Sequence, residues 1–291
     1  MPRTSSKIIL TKADANNRNP MVAHCVSKLF AFVSILSLTV SASYILAQGK
    51  TASVPLPSNI KAPLKAKTPE AILSTFLGIA FREDGAINEQ GQYASFGMPD
   101  KILKEPGLNC SGFVLAASRF LLQKNISLAT AVRDRLGDSG QDSALGRDWD
   151  FGWDLVLNIS EGFERTLLLP GGKVADPAAG SGLAPLGYDL HSPETWQEIE
   201  SRICFNHIYF VSLNRPTWQP GYKLLHYHVG ILIRTSGEDW YIYHATKKQG
   251  VVRENLSNEQ SRARFLGSNS NIGQARKHMF IVEVPWPVKS G

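Results

Sequence analysis

The sequence predicts an α+β fold in which helices come first and an antiparallel sheet follows. Helical spacing of apolar residues begins after Cys110, where Phe113, Ala117 and Leu121 recur every four residues. Strand-forming runs occupy the C-terminal third, at residues 207–213, 227–234, 239–245 and 278–284. With 291 residues and 43% hydrophobic content, the chain can bury a sizeable core. Helices followed by strands are typical of the α+β class.

The N-terminal residues predict export. Residues 29–46 are nearly all apolar, follow Lys28 and precede small residues, which is typical of a signal peptide cleaved near Ala47. The leader is expected to occupy residues 1–47, and a true start at Met21 would give it a conventional length. An uncleaved membrane anchor is the alternative, since about eighteen apolar residues also span a bilayer.

The net charge of +6 does not indicate a nucleic-acid partner. Residues 1–47 hold five Lys/Arg and one Asp, so the remainder carries 26 minus 24, or +2. Residues 48–68 contain three prolines, four lysines and no acidic residue, which predicts an exposed linker. Contact with a membrane is expected only through the N-terminal segment, if that segment is retained.

The folded domain is expected to span residues 69–291 and to open with a helix. Thr68 can cap it, Pro69 suits its first position and Glu70 its first turn, and it should run to about Phe81. Residues 82–109 predict loops. A second helix should extend from Cys110 to about residue 123, and a third should lie around residues 128–136.

Cys110, in the first turn of the second helix, is the candidate nucleophile. A helix N-terminus carries unpaired N–H groups and a partial positive charge, which lower a thiol pKa from ~8.5 toward 7. The same N–H groups, that of Cys110 among them, can hold an oxyanion. The alternative is that this cysteine is simply a small buried residue.

Two histidines on a predicted β-hairpin supply the base. A three-residue loop at residues 235–237 would set Arg234 opposite Glu238 and His228 opposite His244, on one face of the sheet. His228 could then accept the thiol proton while His244 orients it. Gly230, on the same face, would leave room for the helix end.

Other residues leave alternatives open. His226 lies two residues before His228, on the same predicted face, and is a rival base. Cys110 and Cys204 remain once a leader containing Cys25 is removed, and in an exported protein they could form a disulfide that abolishes the nucleophile. We favour burial of Cys204 as a packing residue.

An aromatic and acidic cluster at residues 148–154 (DWDFGWD) is the densest in the chain. Trp149 and Trp153 could line a substrate cleft, but we favour an aromatic anchor with solvated acids, since aromatic clusters usually pack. The spacing lacks the ligands of a calcium loop. No cysteine and histidine spacing resembles a zinc site, so neither a metal nor a cofactor is expected.

Three blocks, at residues 109–114 (NCSGFV), 228–231 (HVGI) and 243–246 (YHAT), resemble in order the signatures of the NlpC-type cell-wall peptidases, which are papain-like cysteine hydrolases. The resemblance spans roughly residues 69–285. It implies a papain-like fold, with the nucleophile helix packed on an antiparallel sheet and a large insertion at about residues 123–202. The chain departs from the family at Asn109, usually Asp, and at Phe81, where a tyrosine is usual.

The resemblance further implies an exported hydrolase, periplasmic or cell-wall-bound, that cleaves an amide bond in peptidoglycan stem peptides through an acyl-enzyme. Cys110, His228 and His244 would be catalytic. Asn109 and Ser111, beside the nucleophile, are candidate substrate contacts. Two alternatives are a catalytically silent wall-binding module and an acyltransferase or lipid amidase of the same superfamily.

Overall fold

The computed structural model describes residues 56–58, 60, 68–135, 137, 150–179, 187–216, 224–273 and 275–286. The predicted leader and its start at Met21 lie outside these residues. Among the helices of the described part, none is long and apolar enough to cross a membrane.

The fold is α+β, as predicted, and its centre is an antiparallel sheet. The helices are α1 (Pro69–Ser74), α2 (Cys110–Leu121), α3 (Leu128–Ala131), α4 (Phe151–Ile159), α5 (Pro193–Arg202) and α6 (Glu259–Ser268). The strands are β1 (Gly85–Ile87), β2 (Tyr93–Ser95), β3 (Thr166–Leu168), β4 (Val174–Ala175), β5 (Tyr188–Asp189), β6 (His207–Pro216), β7 (Leu224–Arg234), β8 (Trp240–Thr246), β9 (Gly250–Asn255) and β10 (His278–Pro285).

The eight-stranded sheet has the order β4-β3-β10-β6-β7-β8-β9, and β5 pairs with the end of β10. Strands β1 and β2 form a separate hairpin. The central strands β6 and β10 are buried along nearly their whole length. Such strands need apolar side chains on both faces, which is why their sequences read as continuous apolar runs.

Helices cover both faces of this sheet. On one face, α2 packs on β7 and β8, and α4 packs on β6 and β7. On the other face, Trp196 of α5 and Phe265 of α6 meet Trp240 of β8 in a second core. The helix that begins at Cys110 therefore lies on an antiparallel sheet, as predicted.

The predicted N-terminal helix is shorter than expected. Thr68 caps α1 through a bond from Ala71 N at 3.2 Å, but α1 ends at Ser74. Gly78 has a φ of +80°, which a helix cannot contain, and Phe81 instead bridges to Leu108.

The predicted hairpin register is wrong by two residues. Arg234 pairs with Trp240, and the loop runs from Thr235 to Asp239, closed by a bond from Thr235 N to Asp239 O of 2.8 Å. Glu238, with a φ of +68°, takes a left-handed backbone conformation in this loop. Because the shift is even, side chains keep their faces, but Gly230 rather than His228 lies opposite His244.

A β-bulge separates His226 from His228. Leu213 of β6 pairs with His228, whereas the next residue, Asn214, pairs with His226. Tyr227 is the additional residue, so the two-residue periodicity is broken there. The prediction that His226 shares the face of His228 is therefore wrong.

The predicted insertion, residues 123–202, contributes to the main structure. It holds α3, α4 and α5, and its strands β3 and β5 pair with β10. In the predicted linker, Ile60 is 5% exposed and Leu56 packs on the core, so the chain at these two residues is not an exposed linker.

Candidate active site

Cys110 is the first residue of α2, and local sequence fixes that position. The amide oxygen of Asn109 accepts a hydrogen bond from Gly112 N at 2.7 Å and so caps the helix. A Cβ at Gly112 would overlap the carbonyl oxygen of Gly85, so glycine is needed for the helix end to approach β1. The N–H groups of Cys110 and Ser111 have no partner within the helix.

The thiol of Cys110 is free and partly buried. Burial raises its pKa, but the charge of His228 and a hydrogen bond with it outweigh burial and bring the pKa of Cys110 down to about 7. Smaller contributions come from Val229 and from Ser111, whose hydroxyl lies 4.0 Å from the sulfur. A substantial fraction of the thiol is thus ionised at neutral pH.

A chain of hydrogen bonds extends from the base. His228 Nε2 lies 2.8 Å from His244 Nδ1, and His244 Nε2 lies 2.9 Å from Glu254 Oε1. Because Nε2 of His228 is engaged with His244, its Nδ1 is the nitrogen left to face the thiol. The two imidazoles lie edge to face, with ring centroids 5.0 Å apart.

His244 is held in an apolar setting. Its side chain is 4% exposed, and the ring of Phe265 lies edge-on at 5.9 Å. Burial lowers the pKa of His244 below its usual 6.5, partly opposed by the bond to Glu254, so the imidazole is neutral at neutral pH.

Gly230 brings the two histidines within reach. A Cβ at this position would lie 3.0 Å from Tyr243 O and 3.3 Å from His244 Cβ. Its absence gives His244 the space to lean toward His228, which is its diagonal neighbour in the observed register. Glycine at this position was predicted to leave room for the helix end, whereas in the structure it leaves room for His244.

The remaining candidates are placed differently. Asn109 is half-buried and uses its amide oxygen as a helix cap, and Ser111 is 5% exposed beside the sulfur. Cys110 is free, so it is not bonded to Cys204, which is 6% exposed.

His226 and Trp153 belong to the core. Trp153 is 1% exposed and stacks on His226 with centroids 5.9 Å apart. His226 Nδ1 lies 2.8 Å from Ser212 Oγ, on the opposite face of the sheet from His244. Neither residue is placed to serve as the base or as a cleft wall. Trp149 lies outside the described residues.

The acids of the aromatic cluster were predicted to be solvated; Asp148 lies outside the described residues, and the other two are buried. Asp150 is 0% and Asp154 2% exposed. Asp154 Oδ2 accepts a hydrogen bond from Arg135 N at 2.7 Å. Asp154 thereby ties α4 to the backbone at Arg135 and does not face solvent.

Sequence reasoning missed Glu254. The residue lies on β9, which carries no clear apolar alternation and was not predicted as a strand. Its pairing with Ile242 puts it on the same sheet face as His244. The run of Val251 and Val252 after Gly250 was the available signal for that strand.

In the described part of the chain, no group of three or more His, Cys, Asp or Glu side chains is placed to hold a metal ion. The 2.8 Å separation of the two imidazole nitrogens is that of a hydrogen bond. The site is a hydrogen-bonded chain ending on a thiol.

No protein-family model matches the chain, and no curated protein matches it. A solved structure titled "Crystal structure of a putative xylanase from Bacteroides fragilis" is 15% identical, with 73% of this chain and 98% of that chain covered and a TM-score of 0.33. At that TM-score the similarity carries no argument about fold or activity, so the functional reasoning depends on the geometry of Cys110, His228 and His244.

Proposed function

We propose that this protein is an exported, papain-like cysteine hydrolase that cleaves an amide bond in peptidoglycan stem peptides. The observation that carries the proposal is the thiol of Cys110 at a helix N-terminus, with a pKa of about 7, beside an imidazole that is hydrogen-bonded to a second imidazole at 2.8 Å. The substrate class comes from the resemblance of the three sequence blocks to the NlpC-type peptidases.

The geometry supports acyl transfer through the thiolate. His228 Nδ1 takes the proton of Cys110, and the sulfur attacks the amide carbonyl carbon. The oxygen becomes negatively charged and is held by the N–H of Cys110 at the positive end of α2. The hydrogen bond from this N–H becomes stronger as the oxyanion forms, so it stabilises the transition state more than the bound substrate.

Collapse of the tetrahedral intermediate breaks the carbon–nitrogen bond. The imidazolium of His228 returns its proton to the leaving amine, and the acyl group stays on the sulfur. A water molecule, deprotonated by His228, then attacks the thioester and releases the carboxylic acid and the free thiol. Each proton that leaves His228 is matched by one that it accepted.

The test is digestion of purified peptidoglycan, with released fragments identified by mass. We expect Cys110→Ala and His228→Asn to lose all measurable turnover, because each removes a group that bonds to or exchanges a proton with the substrate. Both should keep the fold, checked by circular dichroism. Full turnover by Cys110→Ala would refute the assignment.

His226→Asn is the matched control, since His226 lies on the opposite side of the sheet. We expect it to retain turnover and to lose stability, because the stack on Trp153 and the bond to Ser212 are lost. Release of fatty acid from lipid substrates, with intact peptidoglycan, would favour the acyltransferase or lipid amidase. Binding to peptidoglycan without any product would favour the silent module.

A further inference from the structure

The hydrogen-bonded chain behind Cys110 ends on a carboxylate. Glu254 Oε1 lies 2.9 Å from His244 Nε2, and the Glu254 side chain is 20% exposed whereas that of His244 is 4% exposed. The His244 ring is hydrogen-bonded to His228 and Glu254 and lies against the apolar ring of Phe265. Of these three, only Glu254 carries a negative charge.

An ionised carboxylate can only accept hydrogen bonds. The proton between Glu254 and His244 must therefore sit on His244 Nε2. A neutral imidazole carries one N–H, so His244 Nδ1 is unprotonated and accepts. The proton between the two rings then belongs to His228 Nε2, and His228 Nδ1 is left with a free lone pair.

We propose, resting on the function proposed above, that Glu254 is a positioning residue that sets the tautomers of both imidazoles, so that His228 presents an unprotonated Nδ1 to Cys110. In the opposite tautomer, Nδ1 of His228 would carry a proton. That nitrogen would then have no lone pair with which to accept the proton of the thiol. Glu254 thus decides whether the base is available.

Glu254 also offsets the charge that appears during the reaction. Proton transfer leaves a thiolate at Cys110 and an imidazolium at His228, whose Nε2–H points at neutral His244. The carboxylate stabilises that imidazolium through the polarised ring between them. The transferred proton stays on His228 Nδ1, the proton on His244 Nε2 stays in place, and Glu254 remains ionised throughout.

The test compares Glu254→Leu, which removes the acceptor, with Glu254→Asp, which keeps a carboxylate. Glu238→Gln, in the exposed hairpin loop, is the control. Two readouts need no substrate: the pH dependence of iodoacetamide alkylation of Cys110, with Cys110→Ala as the blank, and ¹⁵N chemical shifts of the imidazoles. Turnover of peptidoglycan is measured alongside, with kcat and KM separated.

We expect the wild type and Glu238→Gln to show an alkylation midpoint near pH 7 and His244 protonated at Nε2 alone. Glu254→Leu should raise the midpoint, slow alkylation at pH 7 about tenfold, and give His244 protonated at Nδ1. It should lower kcat more than it changes KM, and Glu254→Asp should restore part of the rate.

If Glu254→Leu fails to fold, Glu254→Gln should move the midpoint in the same direction by a smaller amount, since its amide both donates and accepts. An unchanged midpoint and unchanged tautomers in Glu254→Leu, or in Glu254→Gln if the leucine variant does not fold, would overturn the proposal. If the wild type leaves peptidoglycan intact while Glu254→Leu still shifts both readouts, the proposed substrate fails and the role of Glu254 stands.

Discussion

At the scale of single residues, Gly230 sets the distance between the two imidazoles. It lies opposite His244 in the observed register, and its missing side chain leaves space that His244 fills. His228 lies one position further along the same face and reaches His244 on the diagonal at 2.8 Å. Diagonal neighbours on a sheet face are normally farther apart than direct ones, so this contact depends on the small residue between them.

Replacing Gly230 by alanine should therefore lower the turnover and the reactivity of Cys110 more than it lowers the stability of the fold. The new Cβ would lie 3.3 Å from His244 Cβ and 3.0 Å from Tyr243 O, so His244 must move by a few tenths of an ångström. We expect slower alkylation of Cys110 at pH 7, turnover reduced roughly tenfold or more, and a stability loss of about 1 kcal/mol.

Gly267→Ala is the control for that substitution. Gly267 lies in α6, where an added Cβ meets nothing within 4 Å. This variant should be stabilised by roughly 0.5–1 kcal/mol, since alanine favours helix, and should keep full activity. Equal turnover in Gly230→Ala and the wild type would show that the contact between His228 and His244 does not depend on the small size of Gly230.

Some residues of the site were predictable and one was not. Cys110 was identified because helix periodicity starts at that residue. The two histidines were identified because a register error of two residues leaves every side chain on its own face of the sheet. Glu254 was missed because its role depends on the pairing of β9 with β8, which the sequence of residues 250–255 hardly signals. The sheet face of His226 was predicted wrongly because the extra residue of a bulge cannot be recognised in a run of alternating residues.

At the scale of the element, α2 depends on its first turn. Asn109 supplies the cap, and the amide oxygen that caps the helix also holds the backbone around Cys110. In the proposed mechanism, the N–H groups of that turn lower the energy of the Cys110 thiolate and of the oxyanion. Stability and reactivity are therefore coupled at Asn109.

Asn109→Ala should cost about 1 kcal/mol of unfolding free energy and slow alkylation of Cys110. Asn258 offers a matched control, because it caps α6 in the same way through Ser261 N at 2.9 Å, away from the thiol. Asn258→Ala should cost about as much stability by chemical denaturation and leave alkylation unchanged. If Cys110 is alkylated as fast in Asn109→Ala as in Asn258→Ala, the helix cap does not affect the reactivity of the thiol.

Element boundaries were less predictable than element types. The apolar pattern of residues 69–81 suits a helix throughout, but Gly78 N and Ile79 O bond to Val251 across the sheet edge, so a tertiary pairing ended the helix early. The short hairpin of β1 and β2 was missed because each strand has only three residues. The contacts of β1 with α2, and the pairing of β2 with β1, fix these short strands more than their own sequence does.

At the scale of the whole molecule, described residues of the long interval between Cys110 and His228 form part of the core. Trp153 of α4 packs between His226 and Phe280, with centroids 4.9 Å from the phenylalanine. It therefore joins α4 to β7 and β10. The interval could not be interpreted from the sequence, because aromatic residues lining a cleft and aromatic residues filling a core have the same composition.

Trp153→Ala should destabilise the protein by about 3–5 kcal/mol, the usual cost of emptying a large aromatic site. Trp153→Phe should lose less, because most of the volume is kept. Chemical denaturation measures both, and activity per folded molecule should stay close to wild type. Loss of turnover without loss of stability would return Trp153 to a role in substrate binding.

The strand that carries Glu254 is the last of the sheet, and its outer side is already occupied at one point. Val251 accepts a bond from Gly78 N at 2.9 Å and donates one to Ile79 O at 2.8 Å. An added Cβ at Gly250 would overlap Ile79 O, so the turn after α1 lies directly against the strand. A foreign strand meeting this edge finds the backbone donor and acceptor of Val251 already bonded, which discourages strand exchange and edge-to-edge aggregation beside Glu254.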